Sequence, residues 1–214
     1  MRKYGPALAA VLFDLDGTLV DSESVWDEVF CELAGRALPA ELLSRTDGLG
    51  VLAAMRLMHA ELGWPLRTAP ASAVWVERRV AELLSTGTRW RPGAVELLAE
   101  LRAAGVPTAL VTATRRCVVS RIPGLVGFTV VVCGDDVAQS KPHPEPYRAA
   151  IRSLGVPAGG CVAVEDTVIG ATSAAGAGCA VLLAAEEPVP GYSWTESLHG
   201  VDAEYLRRLL PRPA

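Results

Sequence analysis

Two aspartates, Asp14 and Asp16, follow directly on an apolar run from Ala7 to Phe13. The run is short and carries Val, Leu and Phe, so it reads as a buried strand. Carboxylates at the end of such a strand are unfavourable unless positive charge meets them, which calls for a divalent cation. Continued extended geometry would point both side chains the same way, and Gly17 lets the chain turn sharply just beyond. Three later apolar runs also end in reactive groups. Thr112 follows Pro107 to Val111, Lys141 follows Phe128 to Cys133, and Glu165 and Asp166 follow Cys161 to Val164. Alone, a threonine there is a helix cap, a lysine before a proline is solvated, and Glu-Asp before a helix offsets its dipole. Together they form an acidic cluster with one ammonium and one hydroxyl at one edge of a sheet. Lysine occurs only at positions 3 and 141 in a chain with 20 basic residues. A lysine kept in mid-chain points to a need for a compact ammonium rather than a guanidinium fork.

The elements that must position these groups are legible as two kinds of segment. From Ser22 to about Ser85 the apolar spacing is helical, with helices expected over Ser22–Ala37, Ala40–Ser44, Val51–Leu62 and Ser72–Leu84. Ser22 is expected to cap the first, and Trp26, Trp64 and Trp75 to fill the core of this all-helical insert. After Arg91-Pro92-Gly93 strands and helices alternate. Helices are expected over Ala94–Ala104, Thr114–Arg121, Pro146–Leu154 and Ile169–Ala177, and a last strand over Cys179–Leu183. That alternation implies a parallel sheet covered on both faces, with functional residues where strands end. Glu186 to Gly200 has no assignable element, and Asp202 to Leu210 is a terminal helix. Residues 1–20 and 87–214 are thus expected to form an α/β core, and residues 21–86 a helical domain inserted into it.

Composition bounds the partners. With 214 residues, half of them apolar, and a net charge of −4, nothing favours nucleic acid or an anionic membrane. The apolar stretch near Arg2 and Lys3 is too short for a signal peptide, and no run approaches the ~20 apolar residues of a membrane span. Five scattered cysteines without a Cys-x-x-Cys read as free thiols in a reducing cytoplasm.

The stretch Asp14-Leu15-Asp16-Gly17-Thr18-Leu19-Val20-Asp21-Ser22-Glu23 resembles the first motif of the haloacid dehalogenase superfamily. Thr112 matches its second motif, Lys141 in Ser140-Lys141-Pro142-His143-Pro144-Glu145-Pro146-Tyr147 its third, and Glu165-Asp166-Thr167-Val168-Ile169-Gly170 its fourth. The resemblance is closest to the subgroup of phosphoglycolate phosphatases, sugar phosphatases and β-phosphoglucomutase. It implies a Rossmann-like parallel sheet of five or more strands with an inserted helical cap, and Mg²⁺-dependent hydrolysis of a small phosphorylated metabolite, a sugar phosphate or phosphoglycolate-like ester. By this resemblance Asp14 is the nucleophile that becomes an aspartyl phosphate, and Asp16 is the acid/base, lending its backbone carbonyl to the metal. Asp14, Asp166 and Glu165 complete the metal shell, Lys141 screens the phosphate, and the Thr112 hydroxyl and Ala113 amide hold its oxygens. Arg115 and, in the turn Arg45-Thr46-Asp47-Gly48, Arg45 are the candidates for substrate anions. The enzyme is expected as a monomer or weak homodimer.

A mutase is the competing enzyme, because Arg115 matches a position where the resembling mutase places a cation. Its basic Lys-Gly-x-Ser-Arg segment has no counterpart around Arg45 to Gly50. Dehalogenases need neither Asp16 nor metal, and the phosphonate hydrolases of this superfamily need a cap lysine that is missing here. A signalling receiver, or a regulator that only accepts phosphate, would combine similar groups, but receivers are shorter and lack the helical insert. Asp21, Glu23 and His143 read as structural, and His59 and His199 lack metal spacing.

Overall fold

The computed structural model describes residues 7–211. The expectations that reach residues 1–6 and 212–214, including Arg2 and Lys3 and the outer ends of the core, lie outside the described residues. Six parallel strands form one sheet: β1 (Ala10–Phe13), β2 (Thr108–Val111), β3 (Val130–Val132), β4 (Cys161–Glu165), β5 (Ala180–Ala184) and β6 (Ser193–Thr195), in the order β3-β2-β1-β4-β5-β6. β1 is central, between β2 and β4. Its residues alternate between two apolar layers. Val11 and Phe13 join one buried cluster, and Ala10 and Leu12 join the other. A strand buried on both faces must be apolar throughout, which is why the run reads as continuous rather than alternating.

The segment between β1 and β2 supplies helices α1 (Glu23–Ala34), α2 (Ala40–Ser44), α3 (Val51–Leu62) and α4 (Ala69–Leu84), and no strand. The alternating part supplies α5 (Ala94–Ala103), α6 (Arg116–Val119), α7 (Glu145–Leu154), α8 (Val168–Gly176) and α9 (Ala203–Leu209). α7 and α8 cover one face of the sheet, with Tyr147, Ala150, Ala171 and Ala174 fully buried against it. The chain leaves the sheet and returns through paired backbone: the Asp21 amide donates to the Arg89 carbonyl and the Arg91 amide to the Leu19 carbonyl. All five cysteines are free, and no helix among the described residues is long and apolar enough to cross a membrane.

Several expected boundaries shift for local reasons. The first strand starts at Ala10 rather than Ala7, and α1 ends at Ala34 because Gly35, at φ 66°, caps it. Ser22 does not cap α1 with its side chain; its hydroxyl is used elsewhere, as shown below. α4 begins three residues early, at Ala69, with a proline in its first turn, and α6 is shorter than expected. β6 lies inside the segment that had no assignable element. It extends the sheet by three residues, and the Trp194 indole is tied to the Ala185 carbonyl at 2.8 Å.

Gly93, at φ 84°, occupies the left-handed region at the start of α5, and a Cβ there would lie 2.3 Å from the backbone of Leu198 and His199. Left-handed strain and overpacking against backbone then act together. Gly93→Ala is expected to destabilise the protein by about 2–4 kcal/mol, read as a lower denaturant midpoint.

Candidate active site

The sheet register assembles the reactive groups. Phe13 pairs with Val164 across β1 and β4, so the next residues, Asp14 and Glu165, emerge side by side. The Asp14 amide still donates to the Val164 carbonyl at 3.0 Å, which holds the strand end in place. Lys141 arrives from the loop after β3. Its ammonium is 2.6 Å from Asp14 Oδ1 and 2.6 Å from Glu165 Oε1, with only 2% of its side chain exposed. The Tyr147 hydroxyl, from α7, donates to the same Glu165 oxygen, and its ring centroid lies 5.3 Å from the ammonium. Glu165 Oε2 is buried without a hydrogen-bond partner among the described residues.

Glycines make room for these carboxylates. A Cβ on Gly170 would fall 1.9 Å from Glu165 Oε2. Gly17, at φ 76°, turns the chain so closely past Asp166 that a Cβ would lie 2.0 Å from Oδ2. The neighbouring Thr18 hydroxyl donates to Asp166 Oδ1 at 3.3 Å. One oxygen from each of Asp14, Glu165 and Asp166 lies within 4.8 Å of the others. A compact all-oxygen set with an orphaned buried carboxylate oxygen fits a hard divalent cation.

Asp16 has different company. The two aspartates do not continue one strand, because β1 stops at Phe13. Asp16 Oδ1 accepts from the Ser22 hydroxyl at 2.6 Å and the Trp26 indole N–H at 2.9 Å, and Oδ2 accepts from the Thr114 hydroxyl at 2.6 Å. All three donors are neutral. The Thr112 hydroxyl accepts from the Thr114 amide at 3.0 Å and lies 3.5 Å from Asp16 Oδ2, so it braces the turn that holds Asp16.

A cleft opens over these groups, lined by Asp14, Asp16, Lys141, Glu165, Asp166 and also by Ala113 and Thr114. Its opposite wall comes from α1 and from the Thr46-to-Val51 turn. The structure does not bring the two candidate arginines to it. Arg45 pairs with Glu61 at 2.8 Å, and Arg115 pairs with Glu77 of α4 at 3.1 Å and approaches Asp135 at 3.8 Å. Thr112 is buried behind Ala113 rather than part of the lining. His59 and His143 are structural: His59 bonds the Pro65 carbonyl and the Ser72 hydroxyl, and His143 accepts from the Glu145 amide.

Sequence reasoning missed Ser22, Trp26, Thr114, Tyr147 and Thr18. Ser22 and Trp26 are one helical turn apart, so both face Asp16, and that spacing was a usable signal. Thr114 follows Thr112 at the strand period of two. Tyr147 closes the motif around Lys141, but its role depends on Glu165 standing beside it.

The sequence matches the family model for haloacid dehalogenase-like hydrolases over residues 8–178. Among curated proteins, Protein CbbY of Cereibacter sphaeroides is 34% identical, covering 91% of this chain and 90% of that protein. Hexitol phosphatase A of Escherichia coli is 34% identical, covering 80% of each. Among solved structures, β-phosphoglucomutase from Clostridium difficile superposes with a TM-score of 0.84 at 18% identity, over 95% of this chain and 97% of that one, a likeness of fold.

Burial pushes the Asp14 carboxyl up to about 7; Lys141 opposes this, and Glu165 and Asp16 add to it. Burial also raises Asp166 well above the carboxylate range, with Asp14 and Glu165 contributing. Burial alone would lower the Lys141 ammonium, but Asp14 and Glu165 outweigh it and hold it charged. Unfolded aspartates titrate near 4. Between about pH 4 and about pH 7 the folded protein therefore holds more protons than the unfolded chain, and stability falls as pH rises through that window. The metal-free protein is expected to melt at a higher temperature at pH 5 than at pH 8, and Asp14→Asn to flatten the dependence. Thermal melts in chelator across that range check this.

Proposed function

The chain belongs to the haloacid dehalogenase-like hydrolases, and on that footing we propose that it is a phosphatase acting on a small-molecule phosphomonoester through a phosphorylated Asp14. The observation that carries the reading is the divergence of two aspartates two residues apart. Asp14 faces an ammonium and two further carboxylates, whereas Asp16 is held by neutral donors on the same cleft. That divergence supports reading Asp14 as nucleophile and Asp16 as proton carrier.

Asp14 attacks phosphorus with its free oxygen while Lys141 holds the other. Two of the three ammonium donors are committed to Asp14 and Glu165, which leaves one for a phosphoryl oxygen. The Ala113 amide, lining the cleft beside Asp16, meets a remaining phosphoryl oxygen, whereas both donors of Thr114 are committed to Thr112 and Asp16. Asp16 gives a proton to the leaving alkoxide, then takes one from the water that clears the acyl phosphate. Ser22, Trp26 and Thr114 fix its direction, so the proton moves along one line in both steps. Asp14 and Asp166 would hold the cation, with the Asp16 backbone carbonyl and Glu165, directly or through water. Mg²⁺ suits this hard oxygen set and, when bound, neutralises charge on the transferring phosphoryl group. Residues 21–86 act as the cap, supplying the wall opposite the reaction centre. The name of the related hexitol phosphatase supports a phosphate ester as substrate. A mutase reading gains nothing from Arg115, whose fork is occupied by Glu77 and Asp135.

In assays of phosphate release from small phosphate esters, Asp14→Asn is expected to fall to background. Asp16→Asn is expected to lower kcat by about 10²–10⁴-fold. Chelator abolishes turnover and millimolar Mg²⁺ restores it. Undiminished turnover by Asp14→Asn overturns the reading.

A further inference from the structure

The wall facing the reaction centre is acidic where a second anionic group of a substrate would need a cation. Beyond the reacting groups it presents Glu23, Asp27 and Asp47, together with Trp26, Phe30 and Leu49. Lys141 is the only basic side chain among the cleft-lining residues, and its charge is shared between Asp14 and Glu165. Arg45 and Arg115 are turned to Glu61 and Glu77. Glu23 is partly offset by the nearby Arg91 charge. Asp27 and Asp47 make no salt bridge and accept no side-chain hydrogen bond among the described residues. Burial, with Glu23 and Asp27 adding, lifts the Asp47 carboxyl to about 6, which marks these three as neighbours that repel one another. Near pH 7.5 Asp47 remains largely ionised.

We propose that this cleft selects phosphomonoesters whose far end carries no anionic group, and that Asp27 and Asp47 are the residues that reject a second phosphate or a carboxylate. The proposal rests on the phosphatase reading above and narrows it. Carboxylates only accept hydrogen bonds, so they pair with substrate hydroxyls, which donate. The indole of Trp26 and the ring of Phe30 add apolar surface of the kind that sugar and polyol carbons cover. An anionic far end would meet unpaired like charge, and such juxtaposition is a means of discrimination as effective as any added attraction. Hydroxylated monophosphates of the sugar and polyol class are therefore the substrates. Phosphocarboxylates and bisphosphates of the same skeleton are poor ones.

Pairs of substrates that differ in the far-end charge test this directly. Glycerol 3-phosphate is compared with 3-phosphoglycerate, and fructose 6-phosphate with fructose 1,6-bisphosphate, at fixed free Mg²⁺ and low ionic strength. The neutral-ended member of each pair that is turned over is expected to show kcat/KM higher by roughly tenfold or more. The Asp27→Asn/Asp47→Asn double variant, checked for folding by its melting temperature, is expected to shrink that ratio severalfold, mainly through KM for the anionic member. Added salt should shrink the wild-type ratio too, because the charges face solvent. If no ester releases phosphate, the phosphatase reading itself falls and takes this one with it. If phosphate is released but the anionic members match their neutral partners, or the double variant leaves the ratio unchanged, this inference alone is overturned.

Discussion

The Lys141 ammonium between Asp14 and Glu165 is the contact on which the rest of the site depends. Ions this deeply buried lose most of their hydration, and only close pairing makes their burial tolerable. One ammonium offsets one carboxylate, yet Asp14, Glu165 and Asp166 converge within a few ångströms of each other. Charge is left over, and folding alone does not remove it. It is relieved by protons at low pH, and a cation at neutral pH would relieve it as well. Removing the ammonium would leave two buried carboxylates unpaired, a change of the kind that costs about 3–5 kcal/mol.

The choice of lysine follows from the space available. A chain that uses lysine at only two of its 20 basic positions places one of them here. The ammonium is a point donor with three N–H groups, and it can touch single oxygens of two acids while lying over the Tyr147 ring. A guanidinium would bring five donors in a rigid plane, a bulkier group than the compact ammonium that meets one oxygen of each acid. The Tyr147 hydroxyl finishes the arrangement by donating to the same Glu165 oxygen, so that Glu165 acts first as the support that keeps Lys141 aimed at Asp14.

How much of this could be read from the sequence depended on whether a residue's role is set by its own strand or by a distant partner. The buried strands announced themselves as unbroken apolar runs, and their ends named Asp14, Lys141, Glu165 and Asp166 before any geometry was known. β6 gave no such signal, since Ser193–Thr195 is short and sits beyond Gly191 in a stretch of turn residues. Ser22 illustrates the other limit. As the residue before a helix it has the right identity for a cap, but tertiary structure delivers Asp16 within reach and the hydroxyl goes there instead. The arginines mislead for the same reason. Arg45 and Arg115 stand close in sequence to the cleft, and Glu61 and Glu77, from neighbouring helices, draw them away from it.

The two walls of the cleft are consequently under different constraints. The reaction centre is built from residues at the ends of β1 and β4 and the loop after β3, where register, glycine clearance and a buried ion pair fix each position against its neighbours. A change in any one of them disturbs the others, because Gly17, Gly170 and Tyr147 are each fitted to one particular carboxylate. The opposite wall is built from α1 and the turn before α3, where Asp27 and Asp47 contact the cleft without supporting anything else among the described residues. Side chains with so few commitments can change charge without unravelling the sheet edge beneath them. Chemistry and selectivity are therefore separable here, since the groups that would reject a charged substrate are not the groups that hold the fold together.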